Sequence, residues 1–302
     1  MVVRPIDGDV ELQQCLDIRA AVSPYPITLD EWRAFHDLLP AYEAFIALDG
    51  VEAVGTATVQ IEPERPVPVT FVYVLRERRH HGHGDALFRA VSSWARELGH
   101  AEAITHVSGQ ESDSLAFAEH RGFREVSRET VLSRDLTQTE PPIVDPPKGV
   151  EIVPLADRPE SIRGLYEVYL EAAPDVPGDE EDTLPTYEDW RRMHMSLPND
   201  RPEATFVALA GPEVVGYSKF HLTAARPTVA VHDLTGVKRA WRGRGIARAL
   251  KATQIRWATK RGYEQLETTN EERNLPIRKL NDRFGYKPTR TRVFMRGPLA
   301  TG

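Results

Sequence analysis

Two stretches of the chain combine closely spaced glycines with basic side chains, directly before an amphipathic segment. The first reads RERRHHGHGDALFRA from Arg76, and the second reads VKRAWRGRGIARALKA from Val237. A glycine turn that opens a helix can bind an anion, because the first N–H groups of a helix have no intrahelical partners and the helix dipole makes that end positive. The sequence therefore predicts a phosphate-binding turn in both stretches.

The basic charge is strongest around the second turn. The segment from Lys238 to Arg261 contains nine Lys or Arg residues and no Asp or Glu. Part of this charge is typical of a solvated helix face, but together with the glycines it favours a polyphosphate ligand. The dinucleotide-binding spacing fails because Arg248 stands where a small residue is required, and a P-loop fails because there is no Gly-Lys-Ser/Thr. Both turns instead match R-x-x-G-x-G/A, at 79–84 and 242–247.

The two stretches belong to an internal repeat that covers most of the chain. Sliding the sequence on itself by 163 positions aligns the turns, whereas the upstream segments FIALDGVEAVG and FVALAGPEVVG align at 161. The pairs at 163 include Arg79 with Arg242, Gly82 with Gly245, Trp94 with Trp257 and Phe123 with Tyr286. A proline-rich stretch, TQTEPPIVDPPKG, reads as a linker between the copies. We therefore expect an N-terminal domain at 1–139, a linker at 140–147 and a C-terminal domain at 148–302.

Each copy shows the same order of predicted elements. A strand and a helix come first, followed by a helix that bears a tryptophan, a hairpin, and a strand that enters the glycine turn. A helix, a strand, a helix and a last strand complete the copy. The first helix is expected to start near Asp9 in one copy and near Asp157 in the other, because both are reasonable N-caps. Strands that alternate with helices predict an α/β fold.

Composition limits the class of protein. Of 302 residues, 41% are hydrophobic and 27% are charged, which is typical of a soluble globular protein, and the net charge of −7 disfavours a general nucleic-acid binder. The longest apolar runs are too short for a membrane span, and the N-terminus lacks the pattern of a signal peptide. Cys15 is the only cysteine, so we expect no intrachain disulfide, no cysteine-based zinc site and a cytoplasmic location.

The motifs together resemble the GNAT superfamily of acetyl-CoA-dependent N-acyltransferases. The turn occurs twice, and the segment TTNEERNLPIRKLNDRFGYKP resembles the family's N-x-x-A-x-x-x-Y-x-x-x-G-F pattern. The resemblance covers almost the whole chain and is closest to tandem members of the mycothiol-synthase type. It implies two tandem GNAT folds, each a mixed, mostly antiparallel central sheet flanked by helices. It also implies acetyl-CoA as co-substrate, and no metal.

The resemblance assigns roles to the residues of both turns. In the family, N–H groups of the turn bind the CoA pyrophosphate, the preceding strand pairs with pantetheine, and a bulge opens a wedge for the thioester. In the C-terminal copy the matching positions are Val237, Lys238, Arg242, Gly243, Arg244, Gly245, Ile246, Ala247 and Asn274. In the N-terminal copy they are Val74, Arg79, His80, Gly82, His83 and Gly84. Three histidines so close around one turn seldom converge on a metal ion, so a metal site is disfavoured there.

Transfer of an acyl group to an amine needs a proton acceptor near the wedge. Asp233 lies four residues before Val237 on the predicted strand, and even spacing places both on one face. His232 and Glu267 are alternative bases. The family's usual acid, a tyrosine, is replaced by Asn281, so a water or Tyr217 would have to protonate the leaving group.

The N-terminal copy keeps the turn but not its surroundings. At the offset of 163, Thr70 stands for Asp233, Glu111 for Asn274, and Ala118 occupies the family's tyrosine position. This copy is expected to be degenerate, either shaping the substrate cleft or binding CoA without turnover.

We expect a monomeric or homodimeric enzyme that moves an acetyl group to a primary amine of a small molecule, in a ternary complex at the C-terminal copy. A non-catalytic acyl-CoA-binding or regulatory protein is the alternative. The acidic segment at 174–190 either attracts a cationic amine or is a solvated loop.

Overall fold

The computed structural model describes residues 1–63, 65–138, 140–175, 183–271 and 274–301, and the predicted order of elements occurs twice in them. None of the described helices combines the length and the apolar character that a membrane span requires. The first series is β1 (Val2–Pro5), α1 (Gly8–Val22), α2 (Leu29–His36), β2 (Ala41–Asp49), β3 (Glu52–Ile61), β4 (Val69–Val74), α3 (His83–Glu97), β5 (Glu102–Ser108), α4 (Ser112–Glu119) and β6 (Arg124–Asp135). The second is β7 (Glu151–Pro154), α5 (Ile162–Ala172), α6 (Tyr187–Met195), β8 (Thr205–Ala210), β9 (Glu213–His221), β10 (Val229–Val237), α7 (Ile246–Lys260), β11 (Gln265–Glu271), α8 (Leu275–Arg283) and β12 (Lys287–Pro298).

The chain forms two compact units that do not coincide with the two sequence copies. The first unit is built on Met1–Arg128 and the chain from Arg292 onward, and the second on Glu129–Glu180 and Leu184–Thr291. Within the first unit the strand order is β1-β2-β3-β4-β5-β12, and within the second it is β6-β11-β10-β9-β8-β7. Each unit therefore takes its last strand from the other copy. The predicted limits at 139 and 148 mark where the sequence copies end and begin, whereas the two units are the groups of residues that pack together.

The exchanged strand of the first unit is part of its core. β12 pairs antiparallel with β5, from Arg292 opposite Ser108 to Pro298 opposite Glu102. Val293 and Met295 are 0% and 2% exposed and pack in the same cluster as Leu87, Val91 and Phe123. In the second unit β6 pairs with β11 in the corresponding way. Burial of these side chains, rather than chain proximity, explains why the strand belongs there.

The first helix starts close to the predicted Asp9, whereas the second starts several residues after the predicted Asp157. Helix α1 begins at Gly8 with Asp7 as its N-cap, whose backbone N–H donates to the Glu11 carboxylate at 2.8 Å. In the second copy Asp157 belongs to a 3₁₀ turn, and α5 starts only at Ile162. Pro159 begins a second short 3₁₀ turn there, so the α-helix starts beyond it.

We predict that Met295→Ala lowers the free energy of unfolding by about 2–5 kcal/mol, because it removes a fully buried side chain and leaves a cavity. Leu98→Ala is the matched control, because Leu98 belongs to the same unit but is 50% exposed, and it should cost about 0.5 kcal/mol or less. Urea denaturation followed by circular dichroism measures both. Equal effects would show that β12 does not contribute to this core.

Candidate functional site

The second unit contains a wedge between two parallel strands. β10 and β11 pair only from Val229 to Val231, opposite Gln265 to Glu267, although both strands continue. On its other side β10 follows β9, but its register shifts between His232 and Thr235. Two residues of β10 thus lie opposite Lys219 alone, which is the arrangement of a β-bulge. The gap opens beyond Val231, next to the bulge. In the first unit β4 also leaves β5, after the single pair of Val69 with Ile104.

The first unit lacks this bulge. β4 pairs with β3 in continuous register, from Gly55 opposite Val74 to Gln60 opposite Val69. Thr70 lies opposite Val59, and at the upstream offset of 161 this pair corresponds to Phe220 with His232. The alignment of Thr70 with Asp233 is therefore wrong. Asp233 belongs to an inserted position, because the bulge adds one residue to β10.

The end of β10 directs its backbone into the wedge. The Lys238 N–H donates to the Val215 carbonyl at 3.0 Å, so Val237 faces the opposite edge, since neighbouring residues of a strand alternate. The Val237 carbonyl accepts from Nε of Arg242 at 2.9 Å. The N–H of Val237 therefore points toward the gap between β10 and β11, where the resemblance places pantetheine.

The glycine turn has the same backbone in both units. Gly243 and Gly245 have φ of 76° and 88°, and α7 begins immediately after them. In the first unit His80 and Gly82 have φ of 63° and 85°. This left-handed region suits glycine and strains histidine. The turn leaves the first N–H groups of α7 and α3 directed outward, as an anion site requires.

The basic side chains of the second turn are largely held by protein partners. Arg242 donates to Asp175 at 2.5 Å and to the Glu171 carbonyl at 3.2 Å, so it braces the turn. Lys238 pairs with Glu167 at 3.1 Å and Glu213 at 3.3 Å. Arg244 donates to the Ala240 carbonyl, and its guanidinium lies 4.6 Å from the centre of the Trp241 ring. Backbone N–H groups, including those of Ile246 and Ala247, are thus the main donors that the turn offers.

In the first unit, acids surround the turn. Glu111 accepts from Arg76 at 2.5 Å and from Arg79 at 3.1 Å, and hydrogen bonding to Arg79 outweighs burial and lowers the Glu111 pKa. His80 lies 3.5 Å from Asp113. His83 is buried in the first turn of α3, where Nδ1 has no hydrogen-bond partner in the described residues, and Gly84 follows it inside the helix.

Asp233 lies in the bulge, on the sheet face opposite to that of His232. Its carboxylate is 3.1 Å from Nζ of Lys219, which also pairs with Asp200 at 2.6 Å and donates to the His194 carbonyl. The Lys219 and Asp200 side chains are each 4% exposed, whereas the Asp233 side chain is 41% exposed. A buried ammonium thus holds a carboxylate that solvent and a ligand can reach.

The charge of Lys219 sets the protonation of Asp233. Burial acts to raise the Asp233 pKa, but the attraction of Lys219, with smaller contributions from His194 and His221, lowers it below its ordinary value. Asp233 is therefore an ionised carboxylate across the neutral range, suited to bind a cation.

Glu267 is enclosed by two guanidinium groups. Its two oxygens accept from Arg226 at 2.7 and 2.9 Å and from Arg290 at 2.9 and 3.3 Å. Burial would raise the Glu267 pKa, but these hydrogen bonds lower it. The lone pairs of both carboxylate oxygens accept from the two guanidinium groups, so none is left to accept a proton from a substrate.

His232 belongs to a buried polar cluster beneath the wedge. Its Nδ1 lies 3.0 Å from Oε1 of Gln254, and its Nε2 lies 2.5 Å from Oη of Tyr286. Burial and the charge of Lys251 lower the His232 pKa well below its usual value. Lys251 itself is 1% exposed, and burial lowers its pKa from 10.5 to about 7.

The two asparagines of the family-like segment also have structural contacts. Asn274 is the N-cap of α8, and its Oδ1 accepts from the Ile277 N–H at 3.5 Å. Asn281 is fully buried and donates to Oδ1 of Asn270 at 2.7 Å, while its own Oδ1 has no hydrogen-bond partner in the described residues. Tyr217 is 3% exposed, and burial together with Asp233 raises its pKa well above normal.

Two other predictions concern metals and the acidic segment. In the residues that the structure describes, no cluster of three or more His, Cys, Asp or Glu side chains is arranged to hold a metal ion. Residues 176–182 of the acidic segment lie outside the described residues.

Sequence reasoning missed Lys219 and Lys251. A signal for Lys251 existed, because at the offset of 163 it replaces Phe88, a core residue of the first unit that is 5% exposed. A lysine at a core position of its own repeat is a departure worth testing. Lys219 carried no such signal, since lysine is ordinary on a strand of unknown register.

The chain is similar in sequence to a known protein family. The family model described as "Acetyltransferase (GNAT) family" matches residues 12–123 and 162–286. A search of curated proteins finds no relative of this chain. The two matched ranges contain the two glycine turns.

Solved structures share the fold over the whole chain. A tandem GNAT protein from the clavulanic acid biosynthesis pathway is 21% identical, with a TM-score of 0.80 over 100% of this chain and 99% of that one. A GCN5-related N-acetyltransferase from Sphaerobacter thermophilus is 22% identical, with a TM-score of 0.75 over 100% and 96%. A glucosamine N-acetyltransferase region of a fungal multi-domain β-N-acetylglucosaminidase is 17% identical, with a TM-score of 0.72 over 97% and 38%. The predicted fold class is thereby confirmed.

We predict that Lys251→Leu stabilises the protein most below pH 7. The Lys251 pKa is about 7 when folded and 10.5 in its ordinary state, so the wild type bears the full cost of the buried charge below pH 7 and loses that cost as the pH rises toward 10.5. The gain in unfolding free energy should be roughly 2–5 kcal/mol at pH 6 and small at pH 10. Urea denaturation at several pH values measures it.

Lys260→Leu is the control, because Lys260 lies on the same helix and is exposed. It should produce no pH-dependent gain. A gain from Lys251→Leu that does not vary with pH would contradict the burial of an unpaired charge.

Proposed function

We propose that this chain, which belongs to the acetyltransferase (GNAT) family, transfers an acetyl group from acetyl-CoA to a primary amine of a small molecule. The protein is an acyltransferase with a tandem arrangement. The acceptor, the direct attack in a ternary complex, a cytoplasmic setting and the assignment of turnover to the C-terminal copy are our proposal.

The observation that carries the proposal is the bulge at Asp233. It is present in β10, whereas β4 keeps a continuous register with β3. Beyond Val231 the edge of β10 is not paired with β11, so its backbone is available to the pantetheine arm and to the oxyanion of the transition state. The strand then leads directly to the glycine turn, where the N-terminus of α7 suits the pyrophosphate. These features fit acetyl-CoA in one continuous path.

Asp233 is the residue we assign as proton acceptor. It is exposed and lies at the wedge, whereas Glu267 is held by two arginines and His232 is buried on the opposite face. Because the Asp233 pKa is low, the carboxylate first binds the ammonium form of the acceptor, which loses one proton to water before its nitrogen can attack. As the neutral amine nitrogen bonds to the carbonyl carbon, its second proton passes to Asp233 directly or through water, and the C–S bond breaks.

The surroundings of the first turn support a non-catalytic role for the N-terminal copy. Glu111 occupies the position that Asn274 has in the other copy and ties Arg76 and Arg79 together at the turn. Helix α3 also bears Asp85 in its first turn, whereas the first turn of α7 has no acid. Carboxylates at a helix N-terminus compete with an anionic ligand for the same positive potential.

The acceptor class follows from charge. An ionised carboxylate with a neighbouring buried Asp200 favours an amine that is cationic before reaction, such as an amino sugar or a polyamine. A structural neighbour is named as a glucosamine N-acetyltransferase region, which makes glucosamine a sensible member of the first panel of amines.

We predict that Asp233→Asn lowers kcat for the best amine by about 10²-fold or more, because the amide cannot accept the proton. The dissociation constant of acetyl-CoA should stay within a few-fold of the wild-type value. Thiol release measures turnover, and isothermal titration calorimetry measures binding.

Asp157→Asn is the matched control, an exposed acid of the same unit outside the wedge, and should keep full activity. Full activity of Asp233→Asn would remove Asp233 from the mechanism. Binding of acetyl-CoA with no turnover on any amine would instead reject the enzyme assignment.

We predict that Gly245→Ala weakens acetyl-CoA binding by about tenfold or more, whereas Gly82→Ala leaves it unchanged. Both glycines have nearly the same positive φ, of 88° and 85°, and open space for a Cβ, so both substitutions strain the backbone by about 1 kcal/mol or more. Only one turn is proposed to hold the pyrophosphate. Calorimetry with the two variants tests this, and equal weakening would assign CoA binding to both turns.

A further inference from the structure

The interior of the second unit contains a buried lysine, Lys251, whose ammonium group has no counter-charge among the described residues. Lys251 is 1% exposed, and its amino group has no hydrogen-bond or ion-pair partner in the described part of the chain. Nζ lies 5.1 Å from the centre of the Tyr286 ring, in a cation–π contact. Burial of an unpaired charge is costly, so the position calls for a functional explanation.

The fold does not require a lysine at this position. In the first unit the residues at the same places of the repeat are apolar: Phe88 for Lys251, Val91 for Gln254, and Ala118 for Asn281. These three side chains are 5% exposed or less and form an ordinary core. The second unit has replaced that core with donors and acceptors.

The amino group is linked to the strand of the wedge through Tyr286. Helical side chains lean toward the N-terminus of their helix, so Lys251 on α7 extends toward the glycine turn. The Tyr286 hydroxyl contacts His232, the last residue of β10 before the bulge. The backbone carbonyl of Asn281, which stands where the family has its acid, accepts from the Tyr286 N–H at 3.2 Å. Oδ1 of Asn281 is thus an acceptor without a hydrogen-bond partner in the described residues of the same interior.

We propose, on the basis of the proposed acetyl transfer, that Lys251 is the general acid of the C-terminal site and protonates the sulfur of coenzyme A as the C–S bond breaks. The electron pair of that bond goes to sulfur, and the proton passes from Nζ to sulfur. Lys251 becomes a neutral amine and recovers a proton from water. The amine proton leaves through Asp233, so the sum is amine plus acetyl-CoA giving amide plus coenzyme A thiol.

Proton affinities suit this step. The Lys251 pKa is about 7, and an ordinary thiol has a pKa of about 8.5, so the transfer to a thiolate is downhill. The titratable and charged groups that act on this space in the described residues are His232 from β10, Tyr286 before β12 and Arg134 from β6. The pKa of His232 lies far below neutrality and that of Tyr286 far above it, so Lys251 is the group of this cluster that exchanges a proton near pH 7.

The test compares Lys251→Leu with Phe88→Leu, which changes the matching position of the first unit. Lys251→Leu should lower kcat about 10²-fold or more, while acetyl-CoA binding stays within a few-fold. In the wild type kcat should fall as the pH rises above the Lys251 pKa, because the acid form is lost. That decline should be absent from Lys251→Leu and present in Phe88→Leu.

A second readout does not depend on turnover. Thiolate absorbance of bound coenzyme A should appear at a lower pH in the wild type than in Lys251→Leu, because the ammonium stabilises the thiolate. Unchanged kcat in Lys251→Leu would overturn the proposal. A lower kcat with unchanged pH profile and thiol ionisation would reduce Lys251 to a structural residue and also overturn it. A wild type that turns over no amine rejects the acetyl transfer itself, whereas an active wild type with fully active Lys251→Leu rejects the role of Lys251 alone.

Discussion

The geometry of the second unit depends on one extra residue in β10. Two residues there face Lys219 alone, and β10 stays paired with β9 while it leaves β11 beyond Val231. β4 likewise pairs with β5 only at Val69 opposite Ile104, so the bulge, and not the separation of the strands, distinguishes the second unit. The same bulge places His232 and Asp233 on opposite faces, one toward α7 and one toward the acceptor side. It also releases the backbone edge that ends at Val237. A single local irregularity therefore places the exposed Asp233 and the buried His232 on opposite faces, next to the gap between β10 and β11.

The polar interior below that gap is a departure from stable packing. Gln254 and Asn281 each leave a polar atom without a partner in the described residues, Lys251 is buried, and such groups cost free energy that an apolar core would not. The first unit shows that the apolar solution is available to the same fold. The second unit thus keeps a polar interior that is less favourable for stability, which fits the chemistry proposed for it.

The features that could be predicted are those set by neighbours in sequence. The glycine turns and hairpins, and the order of elements, follow from local backbone requirements and from the repeat, and the structure has them. The bulge, the arginines around Glu267 and the burial of Lys251 depend on strand register and on residues far away in the chain, so spacing favoured Asp233 but left His232 and Glu267 open as alternative bases. The change of offset from 161 to 163 recorded two inserted residues, one in the connection before β10 and one in the bulge, but a one-residue gap in a strand has no unique position until its pairing is known.

The exchanged last strands bear on the history of the chain. A gene that has been duplicated can usually lose one copy once that copy is no longer needed. Here β5 obtains its neighbour from the second copy and β11 obtains its neighbour from the first. Deleting either copy would leave a long strand edge without hydrogen bonds and remove core side chains such as Val293 and Met295. The shared strands therefore require both copies to be present, even where the residues around one glycine turn have changed.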